Sequence, residues 1–234
     1  MTTPAPGPIA LIGGEEFRPA SAALDRALLG LARGDPPTVA IVPTAAVPEN
    51  ASLAAANGVE HFRRLGADAY AVMITDRGSA DAPALVDELR RADLVYLTGG
   101  SPPYLLEALR GSRAWSALVE LSQAGTVLAG SSAGAMAFCE HVLFASGPLA
   151  GLALVLGVAV LPHFERRTPD SIERIQASLP DDLTVLGIDG ATGCVRVADG
   201  WRVEGAERVT LMTKTQAQVL GAGATFELPS AARG

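Results

Sequence analysis

Cysteine is scarce: Cys139 and Cys194 are the only two in 234 residues, too few and too far apart for a disulfide framework or a clustered metal site. Histidine is nearly as rare, with His61, His141 and His163. A basic surplus is missing as well. The 18 Lys and Arg face 25 Asp and Glu, a net charge of −7, which disfavours nucleic acid or an anionic membrane as the main partner. The opening stretch MTTPAPGPIALIGGEEF has no basic n-region, and its apolar run is only Ile9 to Ile12, so no secretory signal is read. IGGEEF lacks the G-x-G-x-x-G spacing that lets a backbone approach a pyrophosphate, which weighs against a dinucleotide-binding oxidoreductase. No internal repeat or low-complexity linker stands out. The expectation left is a cytoplasmic protein acting on a small molecule or peptide, with no cofactor, no metal, no nucleic acid and no membrane, and with a homodimer left open.

The one long apolar run is VLFASGPLAGLALVLGVAVLP, Val142 to Pro162, 21 residues without a charge and long enough to span a bilayer. Gly147-Pro148, Gly151 and Gly157 cut it up, so LALVL and VAVLP read as short buried strands joined by turns. With 49% apolar and 18% charged residues the chain can bury one good core, and a single domain over residues 1–234 is expected. Residues 1–7 read as a flexible tail and 230–234 as frayed.

Apolar runs alternate with amphipathic segments along the first two-thirds: PIALIG then SAALDRALLGLARG, TVAIVPT then SLAAANGVEHFRRLG, DAYAVMI then DAPALVDELRRA. DLVYLTGG then PPYLLEALRGSRAWSALVELSQAG follow, and TVLAG opens into SSAGAMAFCEH. Five strand-then-helix units predict an α/β, doubly wound, mostly parallel sheet flanked by helices, flavodoxin-like in plan. Ligands of such sheets bind at the carboxyl ends of the strands. GGEEF, PTAA, TGGSPP and GSSAG all fall on that edge. After His163 a short helix around Pro169 to Leu179 precedes LTVLGID, GCVRVADGWRVEG, RVTLMT and ATFELP. The turn pairs Asp199-Gly200 and Glu204-Gly205 between them predict small antiparallel β ribbons near the C-terminus.

Gly130-Ser131-Ser132-Ala133-Gly134 fits G-x-S-x-G between a strand and an apolar helix. A nucleophile held on a strained strand-to-helix turn leaves little room two residues either way, so both flanks must be very small. The helix start points free amides at the same spot, and the Ala133 N–H could donate to a developing oxyanion. The alternative is a small-residue junction in which Ser132 merely caps the helix. A serine nucleophile needs a base. His61, in EHFRR, reads as part of a partly exposed helical face, and His141 as the far end of the Ser132 helix. His163 follows VAVLP at a strand end, where the active edge should be, and is the base expected. Only 31 residues separate it from Ser132, unlike the order of an α/β-hydrolase. Glu165, in HFE, shares a side with His163 if the segment is extended and could orient its imidazole, or it could be a solvated charge.

With these pieces in place the sequence resembles the peptidase S51 family, which includes dipeptidase E and cyanophycinase, on the class I glutamine amidotransferase-like fold. The resemblance runs through IGGEEF, IVPTAA, YLTGGSPPYLL, GSSAGAMAF, LPHF and LTVLGID. It implies a serine-type hydrolase that cleaves a peptide bond next to an acidic residue or a β-aspartyl linkage, with no metal. By position it implies Ser132 as nucleophile, His163 as base, and the Gly100 and Ala133 amides as oxyanion donors. Where many members carry a Glu in a GIDE-like pattern this chain has Gly190, leaving Glu165 or the adjacent Asp189 as acid. Ser101-Pro102-Pro103 replaces the polar residues that follow the paired glycines, and Ser101 remains a substrate-binding candidate. Arg166 and Arg167 are candidates for gripping an acidic substrate, or they form a solvated helix start. The alternative function is a catalytically impaired relative that binds a small metabolite at the same edge.

Overall fold

The computed structural model describes residues 7–144, 147–197 and 200–228. Residues 1–6 of the expected tail, the frayed end and Asp199 of the expected turn lie outside the described residues; Gly7 is buried and donates to Ser122 O at 2.6 Å. Strands β1 (Ile9–Ile12), β2 (Thr38–Val42), β3 (Asp68–Ala71), β4 (Leu94–Leu97) and β5 (Val127–Ser131) pair in parallel in the order β3-β2-β4-β5-β1. Between them run α1 (Ala22–Leu29), α2 (Ala51–Arg64), α3 (Arg77–Ala80), α4 (Pro83–Leu89), α5 (Pro102–Leu109) and α6 (Arg113–Ala124). Both faces are covered, which is why these strands read as unbroken apolar runs. Ile9, Leu11, Val95 and Leu97 pack into one core cluster, while Ala10, Ile12, Leu94 and Tyr96 pack into another on the opposite face. Local signals set the helix ends. Asn50 and Ser112 accept from the amides of Leu53 and Trp115 as N-caps, and Gly125 closes α6 at φ +100°.

The reading changes after β5. Helix α7 (Ala133–Phe138) is only six residues long, and the chain turns straight into β6 (Cys139–Phe144). His141 therefore lies on a strand and not on the helix of Ser132. The reason is tertiary: Leu152, Leu154 and Ala153 donate to the carbonyls of Ala137, Phe138 and Cys139, taking the acceptors a longer helix would need. The apolar run from Val142 holds the end of β6, then β7 (Gly147–Ala150) and one long strand, β8 (Val155–Pro162). The expected LALVL strand is instead mostly the connection that stops α7. No helix among the described residues is long and apolar enough to cross a membrane.

The rest follows as α8 (Pro169–Ser178), β9 (Thr184–Ile188), β10 (Thr192–Val197), β11 (Gly200–Gly205), β12 (Val209–Met212), β13 (Ala217–Leu220) and β14 (Thr225–Phe226). The expected ribbons form. The β10–β11–β14 set adds antiparallel to β1, extending the first sheet to eight strands, while β12 and β13 add to a second sheet ordered β13-β12-β9-β8-β6-β7. Within that second sheet β8 runs parallel to both β6 and β9. His61 also departs from expectation, being buried with Nε2 2.8 Å from Asp25 Oδ2. A polar partner on α1 lets the imidazole face inward, and a helical pattern read on α2 alone does not reveal that partner.

Candidate active site

Ser132 sits at the junction of β5 and α7 with φ 47° and ψ −106°, a backbone state that costs a non-glycine residue about 1–3 kcal/mol. Its amide donates to Ile12 O at 2.9 Å and its carbonyl accepts from Met136 N at 2.9 Å. Its hydroxyl makes no cap bond to the helix, so the capping alternative fails. The flanking glycines answer to contact. A Cβ at residue 130 would lie 2.5 Å from the Gly134 carbonyl carbon, and one at residue 134 would lie 2.6 Å from Leu97 O. Both obstacles are backbone and cannot rotate away. Gly134→Ala is therefore expected to cost about 1–3 kcal/mol of stability, read as a lower denaturation midpoint at unchanged m-value.

His163 follows β8 in the left-handed region, φ 49° and ψ 44°. Its amide donates to Gly13 O at 2.8 Å, so consecutive carbonyls at the end of β1 hold Ser132 and His163. The imidazole packs against Gly14, where a Cβ would come 2.5 Å from Nε2 and overlap Cε1. Among the described residues five of the six non-glycine residues at positive φ, namely Glu15, Phe17, Ser132, His163 and Ala191, surround this strip. Strain of this kind clusters where a site over-determines its backbone.

The expected contact between Glu165 and His163 does not form. The i, i+2 argument needs an extended chain, but His163 turns left-handed and Phe164–Arg166 is a 3₁₀ turn. Glu165 Oε2 instead accepts from the Gly190 amide at 2.9 Å. His163 Nδ1 is buried with no hydrogen-bond partner among the described residues. Asp189 does not reach it either, since its carboxyl is buried and faces Arg208, whose Nε is 3.7 Å away. Burial pushes the Asp189 carboxyl above its ordinary range, against the lowering effect of the Arg208 amide. For a raised carboxyl the folded state holds the extra proton, so the charged form costs stability in full above the raised pKa. The cost disappears below the unfolded value near pH ~3.9. Asp189→Asn keeps the acceptor without the charge; its melting temperature should exceed the wild-type value at neutral pH, with the gain fading on acidification.

Of the two arginines read as a substrate grip, Arg166 is engaged by neighbouring carboxylates. It pairs with Glu15 and, at 3.3 Å, with Glu165, and Arg167 Nε is buried without a partner among the described residues. Ser101 caps α5, accepting from Tyr104 N. A cleft of about 620 Å³ opens beside His163, lined among others by Glu15, Glu16, Arg18, Glu49 and Arg64, and neither Arg166 nor Arg167 belongs to its wall. Ser132 is not in the wall; Gly99 lies between it and the wall residue Glu16. A Cβ at Gly99 would lie 2.7 Å from Glu16 Oε1 and 3.3 Å from Ser132 Cβ. Gly100 (φ +136°) packs so tightly on Ala45 that no side chain fits. Neither its amide nor that of Ala133 donates to a protein acceptor among the described residues. Glu16 and Arg18 escaped the sequence reading, which took GGEEF only as a loop on the active edge; the adjacent charges in a strand-end loop were the available signal.

The model of Peptidase family S51 matches residues 9–200. A crystal structure of a peptidase from an acI-B1 Actinobacterium superposes with TM-score 0.85 at 31% identity, covering 95% of this chain and 97% of that one. A putative peptidase E from Listeria monocytogenes EGD-e superposes with TM-score 0.65, covering 87% of this chain and 100% of the other; at 20% identity it bears on the fold alone. Over 107 residues the chain is 28% identical to the uncharacterized peptidase Lmo0363 of Listeria monocytogenes, 46% of this chain and 51% of that protein. The chain thus spans about half the length of the curated relative it matches.

Proposed function

The chain belongs to Peptidase family S51, and from that membership we propose a serine-type hydrolase that cleaves a peptide bond next to an acidic residue, in the manner of dipeptidase E or cyanophycinase. Ser132 Oγ attacks the carbonyl carbon while His163 Nε2 takes its proton. The Gly100 and Ala133 amides hold the oxyanion. The C–N bond then breaks, His163 returns the proton to the leaving amine, and an acyl ester remains on Ser132. Water, deprotonated by His163, hydrolyses that ester and releases the acid. The observation that carries this reading is the shared mooring of Ser132 and His163 on the carbonyls of Ile12 and Gly13, with a serine hydroxyl unused by its own helix. Arg18 and Arg64, on the cleft wall, are the cations available to an acidic substrate. Arg18 is the better placed, because it forms no ion pair among the described residues whereas Arg64 pairs with Glu60 at 3.4 Å. The test is labelling with a fluorophosphonate followed by peptide mapping. An adduct on Ser132, together with hydrolysis of Asp-X dipeptides or β-aspartyl peptides, supports the reading; an intact Ser132 overturns it.

One observation favours a second reading. The His163 Nδ1 has no carboxylate partner among the described residues, and loss of that partner in a triad costs about 10⁴ in kcat through the wrong tautomer. A catalytically impaired relative would bind a small metabolite in the same cleft. It would leave the fluorophosphonate unreacted, so the same experiment separates the two.

A further inference from the structure

Among the described residues Glu16 is the carboxylate that bonds both loops presenting the reacting groups. Its Oε1 accepts from the Gly99 amide at 2.8 Å, one residue before the Gly100 amide. Its Oε2 accepts from the Ser131 hydroxyl at 2.9 Å, one residue before Ser132. The side chain thereby ties the end of β4 to the end of β5. The turn that delivers it is itself constrained. Glu15 and Phe17, on either side, are held at φ 58° and 62°. The Phe17 ring is wedged among Tyr96, His61 and Phe62, with centroids 5.0, 5.8 and 6.2 Å away. It also packs so closely on α2 that a Cβ at Gly58 would lie 2.8 Å from its Cζ. Strained backbone bought with an aromatic anchor, to aim one carboxylate inward, is a costly arrangement for a residue that only caps a loop.

We infer that Glu16 is a positioning residue: it sets the separation between the Gly100 amide and the Ser132 hydroxyl, and so assembles the oxyanion site around the nucleophile. The inference rests on the reading of Ser132 as nucleophile. It assigns Glu16 no contact with substrate and no proton to move.

The test follows labelling of Ser132 by a fluorophosphonate, in which the Oγ–P bond forms, fluoride leaves and the hydroxyl proton passes to His163, alongside hydrolysis of an aspartyl anilide. In Glu16→Ala the labelling rate and kcat are expected to fall about 10²-fold, the scale of a misplaced reacting group, with KM little changed. Glu16→Gln keeps an acceptor for Gly99 and offers its amide N–H to Ser131 Oγ, so it is expected to recover most of the loss with the same pH profile. Unchanged rates in Glu16→Ala overturn the inference, and so does a Gln variant as slow as the Ala variant, because charge and not bond geometry would then be at work. Should Glu16→Ala fail to fold, Ser131→Ala removes one of the two bonds from a site that tolerates a methyl group. A labelling rate about tenfold lower is expected there, and an unchanged rate overturns the inference. Ser132→Ala is the control: labelling that persists in it removes the underlying reading, whereas labelling confined to Ser132 but indifferent to Glu16 removes only this assignment.

Discussion

Ser132→Ala lowers kcat/KM on an aspartyl dipeptide by at least about 10³-fold, the scale on which loss of a covalent nucleophile acts, and leaves the melting temperature near the wild-type value. The two halves of this expectation have separate grounds. The Ser132 hydroxyl makes no cap bond to its helix, and alanine meets the same backbone cost at φ 47°, so no stabilising interaction is lost. Any activity lost is therefore chemical and not structural. The neighbouring serine makes the comparison sharp. Ser131 is fully buried and its hydroxyl donates to Glu16, so Ser131→Ala disturbs a support and is expected to keep measurable turnover. Turnover of Asp-X or β-aspartyl peptides by Ser132→Ala equal to that of the wild type would remove the serine mechanism altogether.

The missing glutamate and the displaced one are a single feature in space. A Cβ at residue 190 would lie 2.8 Å from Glu15 Cγ and 3.5 Å from Glu165 Oε1, so a glutamate there would enter a volume already holding two carboxyl side chains. Glycine at 190 leaves that volume to Glu165, which accepts from the residue's amide, and Arg166 pairs with both carboxylates. The consequence falls on His163. Its Nδ1 faces no acceptor among the described residues, and the imidazole is oriented by packing on Gly14 in place of a hydrogen bond.

Much of this was legible in the sequence, for reasons that differ by element. β1, β2, β4 and β5 are buried on both faces and so announce themselves as apolar runs. The elbow is legible because steric exclusion at Gly130 and Gly134 leaves only glycine. Long-range partners are what sequence does not display. The end of α7 is decided by amides from residues 152–154, and the inward turn of His61 by Asp25 on another helix. A contact of Glu165 with His163 fails for a local reason: its separation from His163 suits an extended strand, and one left-handed residue at His163 rotates it away.

Gly14→Ala is expected to cost both stability and activity, and a second glycine separates the two. At Gly14 the backbone has φ +120° and an added Cβ would overlap the His163 imidazole. Gly66 has φ +96° with nothing within 4 Å of the same added atom. Gly66→Ala therefore reports the backbone penalty alone, about 1 kcal/mol or somewhat more, and leaves peptide hydrolysis as it was. Gly14→Ala adds displacement of the ring, because the His163 backbone is moored through its own amide to Gly13 O and the imidazole alone must give way. If His163 is the base, moving it by even about 1 Å costs about 10²-fold in kcat, a loss absent from Gly66→Ala at matched stability. Equal kcat in the two variants would mean that the position of His163 is immaterial to turnover. The base would then have to be sought elsewhere in the cleft.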